Sequence, residues 1–140
     1  DTISMQPPSS FPAKLTVLLY ERFKYFKGAS DKALTIIPCE LINHNAEQLK
    51  EIILKYASNW NLETDFINWV NIDCSFHSTL VDRIVPGYPK DEIETYNAQL
   101  DYHDNLIVAA EVFFLWVIEG DEKLKQKLPF HKTNLDVKIV

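Results

Sequence analysis

Leu15, Leu18, Leu19, Phe23 and Phe26 fall on one face at helical spacing, with charged residues between them. Ser9 or Ser10 can cap that helix, Pro12 suits its first turn, and Gly28 ends it. Asn45 and Gln48 have capping-box spacing, and Leu49, Ile52, Ile53, Tyr56, Ala57 and Trp60 continue as a second helical stripe. Shorter helices are predicted over 63–70 and 91–100, and Gly120-Asp121 opens another. Between the helices the rhythm changes. Residues 33–39, 76–86, 111–119 and 135–140 are apolar or alternating runs that predict strands. For the third of these, a buried helix from Ile107 fits as well, because a solid apolar run has no period. Interleaved helices and strands predict an α/β fold. Residues 1–10, with Pro7-Pro8, read as an arm or linker, and 11–140 as a single α/β unit.

The run Phe76 to Pro86 breaks the apolar pattern with two adjacent charges, Asp82 and Arg83. In a strand, side chains alternate faces. Asp82 lies with Phe76, Ser78, Leu80 and Ile84, and Arg83 with His77, Thr79, Val81 and Val85. The two cannot neutralise each other across opposite faces. Apolar residues on both faces predict a strand covered on both sides, as in a parallel sheet. A buried charge is costly unless paired or used. Structural ion pairs are the plain reading, and a ligand crevice at the carboxyl end of the strand is the functional one. Pro86-Gly87 stops the strand.

A second patch is Pro38-Cys39-Glu40-Leu41-Ile42-Asn43-His44-Asn45, where a strand gives way to a helix. Glu40, Asn43 and Asn45 can face such a crevice, although Asn43 and Asn45 are also explained as turn and cap residues. Among the four histidines, His77 lies beside the charged pair, and a satisfied core histidine is its simpler reading. No histidine has metal-ligand spacing, so no metal site is predicted.

The chain has 140 residues and a formal net charge of −6. That balance argues against nucleic acid as a partner, which calls for a basic face. No apolar run is as long as a membrane span, and none resembles a secretory leader. Cys39 and Cys74 stand in apolar contexts and read as reduced, buried thiols of a cytoplasmic protein, with one bridge left open. Three glycines, Gly28, Gly87 and Gly120, cannot build a phosphate-cradling loop. The chain starts at Asp1 and ends in an unstopped strand-like run, which predicts a piece of a longer protein.

Leu80-Val81-Asp82-Arg83-Ile84-Val85-Pro86, preceded by Phe76 and Thr79, resembles the Val-Asp-Arg-Ile signature of the mannitol dehydrogenase family of long-chain NAD-dependent dehydrogenases. Five further stretches resemble its tagaturonate reductase branch: Phe11–Leu15, Leu19–Phe23, Ile36–Ile42, Val81–Pro89 with Asp91-Glu92, and Tyr102–Asp104 with Val117-Ile118. The resemblance implies part of a Rossmann-like dinucleotide-binding domain with mixed or parallel strands and flanking helices, leading into a helical C-terminal domain. It implies NAD as cofactor, a small uronate as substrate, and hydride transfer to a keto carbon. The family's Gly-rich loop is expected upstream and its Lys-x-x-x-x-Asn-x-x-His motif downstream, so no catalytic residue is assigned within the chain. Asp82 matches the signature aspartate that lines the active site. Arg83 is expected in a structural ion pair. Glu40 matches the acid of the family's Cys-acid pair, and Asn43 joins it as a lining residue. Leu41 stands where mannitol-type members carry asparagine. Two alternatives stay open: a non-catalytic acidic α/β interaction module, and a related fructuronate or mannitol-type dehydrogenase.

Overall fold

The computed structural model describes residues 1–140, the side chain of His131 excepted. Helix α1 spans Phe11–Phe26 and starts where Ser10 Oγ accepts the Ala13 N–H, with Pro12 in the first turn. It ends as Lys27 and Gly28 turn left-handed, and the Gly28 N–H reaches the Phe23 carbonyl at 2.9 Å. The arm before it folds back: the Asp1 carboxylate takes hydrogen bonds from Ser9 and Ser10. Helices α2 (Asn45–Asn59) and α3 (Thr64–Ile72) pack with α1. Their apolar stripes meet in one core of Leu19, Leu49, Ile53, Ala57, Phe66, Trp69, Val70 and Cys74. Phe66 lies edge-on to Tyr20 and Phe23, with ring centroids 5.2 and 5.5 Å away.

Two sheets flank the helices. Strands β1 (Thr35–Ile36) and β2 (Ser75–Phe76) form a parallel pair. Strands β3 (Thr79–Asp82), β4 (Leu115–Ile118) and β5 (Val137–Ile139) form the second sheet, antiparallel between β3 and β4 and parallel between β4 and β5. Helix α4 covers Ile93–Asn97, and α5 covers Glu122–Lys127. The α/β class holds, and residues 115–118 are a strand.

The single strand expected over 76–86 is two strands in two sheets. The segment changes neighbours at Ser78. Before it, the His77 N–H bonds the Ile36 carbonyl of β1 at 3.0 Å; after it, Glu119 N–H bonds the Ser78 carbonyl at 2.8 Å and pairing with β4 begins. Nor is the run covered on both faces. Along β3, Thr79 and Val81 are half-buried while Leu80 and Asp82 are exposed, as are Ile84 and Val85 beyond it. The antiparallel pairing permits this, because such sheets need only one packed face. The other strands are shorter than their apolar runs, and α4 is shorter than the helix expected over 91–100. The ladder needs a paired neighbour as well as a β-rich sequence.

Candidate functional site

The carboxyl ends of β1 and β2 lie side by side, and the start of α2 closes against both. Asn45, the first residue of α2, is 3 % exposed and does not cap its helix; His44 occupies the cap position without a side-chain bond. The Asn45 amide turns inward. Its Oδ1 accepts the Thr79 N–H at 3.0 Å, and its Nδ2 lies 3.2 Å from the Thr79 carbonyl and 3.0 Å from the Glu40 carbonyl. Pro38 O and Thr79 Oγ1 are also within reach, at 3.3 Å each. Thr79 Oγ1 in turn donates to the Pro38 carbonyl. Gln48 donates to the Asn43 carbonyl at 2.7 Å, so the reciprocal box expected of Asn45 and Gln48 is absent.

One residue earlier in β3's approach, Ser78 completes the junction. Its Oγ accepts the Ala46 N–H at 3.3 Å and donates to Glu47 at 2.7 Å. That hydroxyl, and then the backbone at Glu47 itself, hold the Glu47 carboxyl below its ordinary range. The first turn of α2 therefore already carries its own anion.

Glu40 and Asn43 are exposed on the turn between β1 and α2. Glu40 stands at a cleft of about 280 Å³ that is otherwise largely apolar, with Phe11, Ile42, Leu49 and Ile52 in its wall. Asp82 is exposed at the far end of β3, opposite Leu115. The Asn45 clamp thus joins the backbone at Glu40 to the start of β3, three residues before Asp82. Asp82 and Arg83 are not buried, which removes the need for compensating partners. Arg83 has no acidic side chain in ion-pair contact among the described residues. Its Nε donates to the Glu111 carbonyl at 3.1 Å, and its guanidinium lies 5.7 Å from the Phe114 ring centroid. The Glu111 carboxylate instead accepts the Ile84 N–H at 2.6 Å. An exposed strand end lets water solvate both charges, so the ion pair expected of Arg83 is replaced by a backbone contact.

His77 is half-buried and its Nδ1 lies 2.8 Å from the Glu119 carbonyl, which requires the proton on Nδ1. Cys39 is exposed, contrary to expectation, and Cys74 is buried; both are free thiols. Burial pushes the Cys74 thiol up from its ordinary value. No group of three or more His, Cys, Asp or Glu that can hold a metal ion occurs among the described residues. Among the described residues no helix is long and apolar enough to cross a membrane. The role of Asn45 escapes sequence reasoning because its partner, Thr79, is 34 residues away, and a helix-start asparagine looks like a cap.

Comparison with known proteins adds three findings. The sequence model of the mannitol dehydrogenase Rossmann domain matches residues 7–132. The altronate oxidoreductase of Yersinia enterocolitica is 51% identical over all 140 residues, and that of an Escherichia coli strain 49%. The chain spans 29% of the length of these curated relatives. Among solved structures, a substrate-free D-sorbitol dehydrogenase is similar at a TM-score of 0.69 and 25% identity, with 95% of this chain and 26% of that chain covered. The Pseudomonas fluorescens mannitol 2-dehydrogenase, in ternary complex with NAD and D-mannitol, shares the fold at a TM-score of 0.70 and 20% identity, with 95% of this chain and 25% of that chain covered.

Proposed function

The chain belongs to the mannitol dehydrogenase family, within its Rossmann domain, and from that membership we propose that it is part of a longer, cytoplasmic, NAD-dependent oxidoreductase that interconverts tagaturonate and altronate in hexuronate breakdown. The observation that carries this reading is identity of about one residue in two to altronate oxidoreductases, running through the whole chain without a gap in coverage. Leu41 supports it as well: an apolar side chain in the place of the mannitol-type asparagine suits a different substrate. In this reading Asp82, Glu40 and Asn43 line the site for substrate or cofactor, and 11–140 is the later part of the nucleotide domain.

The residues present do not fit the diphosphate of the cofactor. Such a group binds at a helix N-terminus with free amides and a positive dipole end. The helix that follows β1 carries Glu47 in its first turn and gives its Ala46 N–H to Ser78. The helix that follows β4 is capped by Asp121, whose carboxylate takes the Lys123 and Leu124 N–H groups at 3.0 and 3.1 Å. At both ends a diphosphate meets a carboxylate. The cradle and the acid/base belong elsewhere in the longer protein, and no chemical step is assigned to residues of this chain.

A substrate panel tests the proposal. The longer protein should oxidise NADH with tagaturonate at a kcat/KM at least about tenfold above those with fructuronate or fructose, a ratio within reach of a few differential contacts. Preference for fructuronate or fructose would move the protein to a related branch of the family.

A further inference from the structure

Asn45 has more hydrogen-bond work than its place at the start of α2 demands. Its amide pairs with Thr79 in the manner of a strand residue, accepting from the N–H at 3.0 Å and approaching the carbonyl at 3.2 Å. The same Nδ2 reaches the Glu40 carbonyl at 3.0 Å. With two hydrogens, that nitrogen can serve both carbonyls at once. Thr79 adds a second strut through its hydroxyl on the Pro38 carbonyl. The group is 3 % exposed, so water cannot replace these bonds if the amide is removed. A helix cap needs none of this, and the helix does not use Asn45 as one.

What the amide holds together is specific. On one side is the exposed turn that carries Glu40 and Asn43. On the other is the first residue of the strand that ends at Asp82, about 10 Å further along at strand rise. The turn's residues 39–44 are all exposed, and its other anchors are local to it and to the start of α2: the Ile42 N–H on the Glu40 carbonyl at 2.8 Å and the Gln48 amide on the Asn43 carbonyl at 2.7 Å.

We propose that Asn45 is a positioning residue for the substrate site: its amide locks the Glu40 turn to β3 and thereby sets where Glu40 and Asp82 stand relative to each other. This rests on the reading of Asp82 and Glu40 as site-lining groups. Asn45→Ala removes the lock: the Thr79 N–H and carbonyl lose their partner, and the Glu40 carbonyl keeps only the Ile42 N–H. Thr79→Val removes only the hydroxyl strut and keeps the backbone pairing, and so remains informative where the first variant folds poorly.

The test uses the longer enzyme with both variants. Four quantities are read: kcat and KM for tagaturonate, KM for NADH, and hydrogen exchange, above all of the peptides containing 38–43 and 79–82. Misplacement of site groups by about 1 Å costs on the order of 100-fold. Asn45→Ala is therefore expected to lose about 100-fold in kcat/KM for tagaturonate with the KM for NADH within about twofold. Thr79→Val should lose less, in the same direction. Exchange should rise in 38–43 and 79–82 and stay unchanged in α1 and α3. Unchanged kcat/KM in both variants overturns the proposal, and so does a parallel collapse of NADH binding and global exchange, which marks a merely structural role. A wild-type enzyme inactive on tagaturonate sinks the substrate reading alone; the lock is then judged on exchange, where no rise at 38–43 overturns it.

Discussion

Asp82 and Arg83 are neighbours with opposite prospects. Both are exposed, so neither is held by a burial penalty. Among the described residues the Asp82 side chain makes no hydrogen bond or ion pair, and the proposed function reads it as a site-lining group. Asp82→Asn in the longer enzyme should lower kcat/KM by tenfold or more, at about the scale of a lost oriented contact, while its unfolding free energy stays within about 0.5 kcal/mol, as for other surface changes. Arg83→Gln should leave kcat/KM within about threefold and stability within about 0.5 kcal/mol. Steady-state kinetics with denaturant titration of each variant separates the two. A larger kinetic loss from Arg83→Gln than from Asp82→Asn would reverse the assignment. The chemistry-bearing residue types of this stretch are legible in sequence. Their burial is not, because an apolar run says nothing about which face a partner covers. Asn45 is the harder case, since a side chain clamped to a distant strand leaves no local pattern.

Helices with long apolar stripes are readable to within a residue or two, as α1 and α2 show. Their periodicity and caps are local. Strands are not, because their ends are set by the neighbour: 76–86 splits at Ser78, where hydrogen bonding passes from β1 to β4. Gly28 is a local signal with a firm consequence. It has φ 70°, and a Cβ there would lie 2.8 Å from Phe23 Cε2, on a ring already packed against Phe66 and Trp69. Gly28→Ala should destabilise by about 1–2 kcal/mol, the cost of a left-handed non-glycine residue, and more if the ring must move. Equilibrium denaturation reads this directly. The helix caps give a pH dependence. The Leu124 and Lys123 amides hold the Asp121 carboxyl below its ordinary value of 3.8. A depressed folded value stabilises above the unfolded pKa, and that contribution is lost as pH falls through the folded one. The Tm gap between wild type and Asp121→Asn should therefore be full near neutrality and close below about pH 3.8. A gap that widens on acidification would contradict the cap.

Seen whole, the chain has a helical core, and apolar side chains stand exposed on β3 and in the loops between β3 and β4. Leu80 is 56%, Ile84 66%, Val112 100% and Leu106 85% exposed. Apolar surface of this kind marks contact with something further. Identity across all 140 residues to relatives of which it spans 29% fits that picture. The α/β class follows from the interleaved rhythms of the sequence. The division of its strands into two sheets does not, because it depends on contacts between distant segments. In the proposed function these residues line a uronate oxidoreductase site whose cofactor cradle and acid/base lie outside them. The direct measurement is NADH oxidation with tagaturonate by the 140-residue chain alone and by the longer protein, side by side. Turnover by the longer protein only is the predicted result. Turnover by the 140 residues alone, or none by the longer protein, would contradict it.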